Sequence, residues 1–417
     1  MSGAINKEIS IHRLMNQRRV AFALLGRIGT LLDPGIAFGQ ALGRLFKSQG
    51  KFGSRDRRLY RELVYAYLRY EPWLKPLRDK ESAFMDTLIT LASPSPEIIG
   101  LYATLPSSIP GIATETQRHR LIGKSENDLR ELLPSWFESH LSKPLDSKNL
   151  QALFTRPPLW LRIQNGDAPR VSAQLKSEIE TANTSNAEAV WGIPDALRCP
   201  PDFPIVRYAA YFDGDVEIQD ISSQLILQLI LPRPEGNWLD ACAGAGGKSL
   251  QLAKMLLPDG AVSAFDPRRQ ALEELQTRRK RARLNNIATL DSPPTNDRFD
   301  GVLVDAPCSG SGTWRRHPYL MRQTREKDVF DKAKTQCALL DRYSRLVAPG
   351  GTLAYCTCSL SRYENEAVAA RFIEGSDQFE HQPLATDFDL EETSLGISIL
   401  PATHDGDGLY IATFRRK

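Results

Sequence analysis

At 417 residues the chain is long enough for two or three domains, each able to bury a full-sized core without disulfide staples. Its 53 Lys and Arg against 50 Asp and Glu leave a net charge of +3, too small by itself to imply a polyanionic partner. Six scattered cysteines with no secretory signal point to reduced thiols in a cytoplasm, the absence of a second pair beside Cys356 and Cys358 argues against a structural zinc site, and no run approaches the roughly 18 apolar residues of a membrane span.

Residues 1–125 are expected to form an all-α domain. Residues 1–75 hold fourteen Lys and Arg against five acids, an excess compatible with a phosphate backbone, although basic helices are commonly just solvated. Residues 11–32 place Val20, Leu24, Leu25, Ile28, Leu31 and Leu32 at helical spacing, and Asp33-Pro34-Gly35 punctuates their end. Residues 54–70 repeat the pattern with Leu59, Leu63, Val64, Tyr67 and Leu68 on one face and Ser54 or Asp56 available as a cap. Further helices are expected over 82–91 and 96–105.

Residues 126–231 read as a small α+β module. A helix is expected over 127–141, a strand over 158–164, an amphipathic helix over 169–181 and a second strand over 205–211. Asp213-Gly214 then marks a turn into VEIQDISSQL.

From residue 232 to 417 strands and helices alternate regularly, with strands expected at 237–240, 261–266, 302–305, 352–356 and 409–414 and helices between them. This rhythm implies a parallel α/β sheet covered on both faces, a Rossmann-like fold whose ligands gather at the carboxyl ends of the strands. Asp305 is the focus: an apolar strand stops on it and opens into Pro307-Cys308. Asp240 and Asp266 end earlier strands in the same way.

DACAGAGGKS, at 240–249, puts Gly244, Gly246 and Gly247 just before a helix, where a ligand can approach the backbone. It is neither a P-loop, whose first glycine would fall on Cys242, nor a dinucleotide G-x-G-x-x-G, since Ser249 stands in the last place. A third class remains, the S-adenosylmethionine-binding sheet, with Cys242, Ala243, Gly244, Ala245, Gly246, Gly247 and Lys248 around the cofactor and Asp266 toward the ribose. Asp291, before Pro293-Pro294, is either an adenine neighbour or a plain loop residue. Cys308 and Cys358 follow two strands that would be neighbours, so both thiols are expected in one cleft beside Asp305.

Together DACAGAGGKS, DAPCSGSGTWRRHP at 305–318 and YCTCS at 355–359 resemble the RNA cytosine-5 methyltransferase family. GDVEIQDISSQL at 214–225 is similar to that family's lead into its catalytic domain, and DGLYIATFRR at 407–416 to its closing strand. The helices around 54–69 resemble the NusB-like RNA-binding domain of part of the family, and the middle module would be its RNA-recognition extension. Two departures stand out: Ala245 where the family usually has Pro, and Tyr319 where it commonly has Asp.

The resemblance implies that Cys358 attacks C6 of a cytosine, that Cys308 helps release the product, and that Asp305 bonds the base near N3 and touches the cofactor, with Lys248 orienting it. It implies RNA as the partner, ribosomal RNA in particular, with the cytidine unpaired or flipped; transfer RNA is the alternative. Arg278–Arg283 and Arg315-Arg316 would hold phosphates, or else lie on a solvated helix face and loop. A monomer without metal is expected. Two other classes compete: a DNA cytosine methyltransferase with Cys308 as the nucleophile, and a non-catalytic RNA-binding assembly factor that keeps the fold.

Overall fold

The computed structural model describes residues 10–32, 37–48, 52–106, 114–181, 188–189, 193, 195–201, 203–296 and 298–417. The expected Asp33-Pro34-Gly35 turn lies outside the described residues. The chain folds into two compact units, residues 1–136 with 146–155 and 317–324, and residues 137–145 with 156–316 and 325–417.

The first unit is helical. Helix Ile11–Leu25 ends at Gly26 and gives way to a 3-10 turn, Ile28–Leu31, so the expected single helix is broken. Helix Ser54–Leu74 buries Leu59, Leu63, Val64 and Leu68 as its spacing requires. Gly53, not Ser54 or Asp56, occupies its N-cap, and Asp56 instead accepts a 2.9 Å bond from Gln17. Pro72 lacks an N–H, which leaves the Leu68 carbonyl without its helical donor. Arg322 supplies one, with Nε 2.9 Å from Leu68 O and Nη2 3.0 Å from Arg69 O. Helices Glu81–Leu91 and Pro96–Tyr102 match expectation, while Phe38–Ser48 and Glu115–Leu121 were not anticipated.

Two expectations for the middle of the chain fail. In place of one helix over 127–141 there are two 3-10 turns, Asn127–Leu132 and Glu138–His140, because Pro134 cannot continue a helix. In place of a strand over 205–211 there are a 3-10 turn, Ile205–Arg207, and a short helix, Ala209–Phe212. The strand that does form, Ala196–Cys199, lies earlier. The small sheet of the second unit runs β2-β3-β1-β4, from Glu188–Ala189, Ala196–Cys199, Leu159–Ile163 and Val216–Ile218, and its printed pairs are antiparallel.

The large sheet has nine strands among the described residues: β5 Asn237–Asp240, β6 Ala261–Ala264, β7 Ile287–Thr289, β8 Phe299–Asp305, β9 Val347–Thr357, β10 Phe379–His381, β11 Glu391–Thr393, β12 Gly396–Ile399 and β13 Leu409–Arg416. Its order is β11-β12-β13-β9-β8-β5-β6-β7, with β10 also on β13. The pairs from β7 to β9 are parallel, as the alternation implied; the expected last strand, β13, pairs antiparallel and carries β10, β11 and β12, three strands the sequence did not reveal. Strand order turns around at β5, with β6 on one side and β8 on the other. The crevice beyond Asp240 and Asp305 is therefore where a doubly wound sheet holds its ligand. Apolar clusters cover both faces, one around Leu225, Leu250 and Leu303, the other around Leu239, Val302 and Tyr355.

Candidate active site

Parallel pairing brings the strand ends together. Asp305 of β8 lies opposite Cys356 of β9 in register, which places the loops carrying Cys308 and Cys358 side by side. Their sulfur atoms are 3.2 Å apart and both cysteines are partly exposed, so the expected single thiol cleft exists. The hydrogen bond with Cys358, then burial, pushes the Cys308 thiol well above its ordinary value.

Asp305 closes the strand three residues before Cys308. Lys248 donates to its Oδ2 at 2.7 Å and the Cys356 thiol sits 3.4 Å from its Oδ1. Lys248 is buried, with its side chain only 8% exposed, which alone would favour the neutral amine. The adjacent Asp305 carboxylate outweighs that effect and raises the lysine, so it stays an ammonium. Cys356 itself is fully buried and held far up by that burial.

The loop after β5 starts at Asp240, whose buried carboxyl accepts from Ser249 at 2.6 Å and is pushed up to about 6 by desolvation. Its Oδ1 has no hydrogen-bond partner among the described residues. Gly246 adopts φ +87°, and a Cβ there would come within 2.5 Å of Leu275, so a glycine is needed. At Gly247, which opens helix Gly247–Met255, the space above Cα is empty. Cys242 is partly exposed and its thiol is raised by burial; Ala243 is buried and donates to Phe265 O at 2.9 Å. Ala245 accepts from Arg278 at 2.8 Å.

Asp266 lies two residues past the end of β6, not on it. Its carboxylate accepts from Gly244 N at 2.9 Å and from Arg268 N, Nε and Nη2, each at 2.9 Å. Burial alone would raise it, but these bonds lower its pKa below the usual value. Asp291 is exposed at a bend two residues after β7. An empty space over a glycine loop at a helix N-terminus, with an ionised acid at its rim, fits an adenosyl cofactor bearing a ribose and an amino acid end.

The basic stretches are a correction. Arg278 and Arg281 pair with buried Glu217 at 3.0 and 2.6 Å, and Arg283 pairs with Asp215 at 2.9 Å. Arg315 is fully buried and meets Asp405 at 2.6 Å; Arg316 meets Asp220 and Asp407 at 2.7 and 3.2 Å. These guanidinium groups tie elements of the second unit together, and neither a phosphate grip nor a solvated face describes Arg278, Arg281, Arg315 or Arg316. Sequence reasoning also missed Arg268 and Glu364, and it gave Arg278 to a phosphate, not to Ala245 and Glu217. Of these only Arg268, two residues from Asp266, stood close enough in sequence to be noticed.

Comparison with known proteins agrees with this geometry. Residues 227–415 match the family model described as 16S rRNA methyltransferase RsmB/F. The chain is 28% identical over 412 residues to a ribosomal RNA small subunit methyltransferase B of Enterobacter sp. (strain 638), covering 90% of this chain and 94% of that one. A protein of the same name from Erwinia tasmaniensis is 29% identical with the same coverage. Among solved structures, PH0851 superposes with a TM-score of 0.73 at 21% identity, covering 98% of this chain and 100% of that one. NSun6 from Pyrococcus horikoshii with SFG superposes with a TM-score of 0.57 at 16% identity, over 64% of this chain and 93% of that one. These two likenesses concern the fold.

Proposed function

Since the chain belongs to the 16S rRNA methyltransferase RsmB/F family through residues 227–415, we propose that it is the S-adenosylmethionine-dependent enzyme that makes 5-methylcytidine in small-subunit ribosomal RNA by way of a covalent cysteine adduct. The single observation that most favours this reading is the 3.2 Å thiol pair beside Asp305. S-adenosylmethionine supplies the methyl group on a sulfonium centre.

Cytosine C5 is a poor nucleophile until something adds at C6. Cys358 is the group for that addition, as the resemblance to RNA cytosine-5 methyltransferases implies, and its sulfur shares the cleft with Cys308 at 3.2 Å. Attack of the Cys358 thiolate on C6 forms the C–S bond and makes C5 electron-rich. After methyl transfer, removal of the C5 proton lets the C–S bond break, returning Cys358 as a thiolate. Cys308 stands 3.2 Å from that sulfur, placed to take the C5 proton in this release after its own proton has passed to solvent. Asp305, fixed by the Lys248 ammonium, presents a carboxylate to the base. Gly244, Gly246, Gly247 and the N-terminus of helix Gly247–Met255 would hold the cofactor's amino acid end, Asp266 its ribose, and Asp291 its adenine. The target base must leave any stack to reach the cleft, so an unpaired or flipped cytidine is the substrate.

Bisulfite sequencing of total RNA from cells with and without the gene tests this reading. One 5-methylcytidine in 16S ribosomal RNA should disappear with the gene. Retention of every such site, or loss confined to transfer RNA, would overturn it.

A further inference from the structure

The residue following each cysteine is a serine, and both serines donate to one carboxyl group. Ser309 Oγ lies 2.5 Å and Ser359 Oγ 2.6 Å from Oε2 of Glu364. Two more donors meet the other oxygen, Ser309 N at 2.8 Å and Gln336 Nε2 at 3.1 Å. Glu364 is fully buried. A desolvated carboxyl group persists in such a place only if its lone pairs are filled, and here four donors fill them.

The surrounding bonds show what this group holds. Gln336 also donates to Pro307 O at 3.1 Å and accepts from Tyr355 OH at 3.1 Å, and Tyr355 bonds the Glu364 backbone carbonyl. Leu360 N donates to Ser311 Oγ at 2.8 Å, and Gly312 N to Cys358 O at 2.9 Å. The two loops are thus laced together on the side away from the thiols. Glu364 Oε2 accepts from the +1 residue of both loops, and Ser311 Oγ lies 3.5 and 3.2 Å from the same two hydroxyls, but Glu364 is the charged acceptor on which they converge.

We propose that Glu364 is the positioning residue of the two-cysteine site: by binding Ser309 and Ser359 at once it fixes the separation of Cys308 and Cys358, and so sets the rate at which the covalent adduct is resolved. The proposal rests on the two-cysteine reading above. Attack needs only one sulfur well placed against the base, whereas release needs both sulfurs placed against the same adduct. Loosening the link should therefore slow release more than attack.

Glu364→Gln keeps the shape but turns one acceptor into a donor that faces Ser309 or Gln336. The full-length variant is to be incubated with transcribed 16S ribosomal RNA and S-adenosylmethionine, and protein–RNA adduct scored by denaturing gel beside Cys308→Ala and Cys358→Ala. The expected result is a kcat reduced roughly 10- to 100-fold, an unchanged KM for S-adenosylmethionine, and an accumulating adduct that Cys308→Ala also shows. Ser359→Ala, which removes one donor without burying a new one, should show the same signature more weakly and serves if Glu364→Gln does not fold. Wild-type turnover without adduct in these variants overturns the proposal. So does reduced turnover without adduct, or a raised KM for the cofactor, while Cys308→Ala still accumulates it. Absence of adduct in Cys308→Ala as well would instead overturn the two-cysteine reading beneath it.

Discussion

The glycine loop after β5 is braced from outside, by Arg278 on Ala245 O and by Asp266 on Gly244 N, whereas the two thiol loops after β8 and β9 are braced from within by Glu364, Gln336 and three serines. The first arrangement leaves backbone N–H groups and open space for a ligand to take up. The second leaves almost nothing adjustable except the two sulfurs. Perturbing the outer braces should therefore be felt in cofactor affinity, and perturbing the inner ones in turnover.

The largest effect that would sharpen this contrast is at the point where the two halves meet. Lys248 belongs to the helix after the glycine loop yet pairs with Asp305 beside the thiols. Lys248→Met leaves the Asp305 carboxylate unpaired, and kcat should fall about 1000-fold, as for loss of one fixed electrostatic donor. A change confined to KM for the cofactor, in steady-state methyl transfer, would assign Lys248 to the cofactor half alone.

Asp240 lies under the glycine loop, and its effect falls on stability. Burial holds its carboxyl up at about 6, so this group favours folding fully below the ordinary carboxylate range and loses that contribution as pH rises through 6. The loss amounts to about 3 kcal/mol at most. Thermal melts of Asp240→Asn should lack this fall between pH 4 and 7; a wild-type pH profile in the variant would place the titration elsewhere.

Gly246→Ala forces a side chain into φ +87° and against Leu275, costing about 1–2 kcal/mol in the backbone alone. Cofactor affinity by calorimetry should fall roughly tenfold with it. Gly247→Ala meets no protein atom within 4 Å, so protein stability should hold while affinity drops if the cofactor passes over that residue. Unchanged affinity in both would break the assignment of this loop. Smallest in cofactor binding is Arg278→Met, which removes the bond to Ala245 O and one of the two guanidinium partners of buried Glu217; a loss of about 1 kcal/mol in cofactor binding is expected with kcat preserved, together with a lowered melting temperature.

Much of the catalytic half was legible because parallel strands are short apolar runs that stop on acids. Asp240 and Asp305 end β5 and β8, and register alone brings Cys308 to Cys358. The antiparallel flank was hidden because Glu391–Thr393 and Gly396–Ile399 are too short to show an alternating pattern. The arginines were misassigned because charge is counted along the chain while its partners lie elsewhere: Arg278 is 61 positions from Glu217, and Arg315 is 90 from Asp405. Glu364 carries no mark of its role in the sequence around it. Nothing local distinguishes a buried acceptor of four bonds from a solvated one, since the donors come from Ser309, Gln336 and Ser359 on three separate elements.

The central claim is the division of labour between the two sulfurs. It is tested most directly by incubating wild type, Cys308→Ala and Cys358→Ala with 16S ribosomal RNA containing 5-fluorocytidine and S-adenosylmethionine, and resolving trapped adduct on a denaturing gel. The account predicts adduct with wild type and Cys308→Ala and none with Cys358→Ala. Adduct that survives in Cys358→Ala and vanishes in Cys308→Ala would contradict it and make Cys308 the nucleophile.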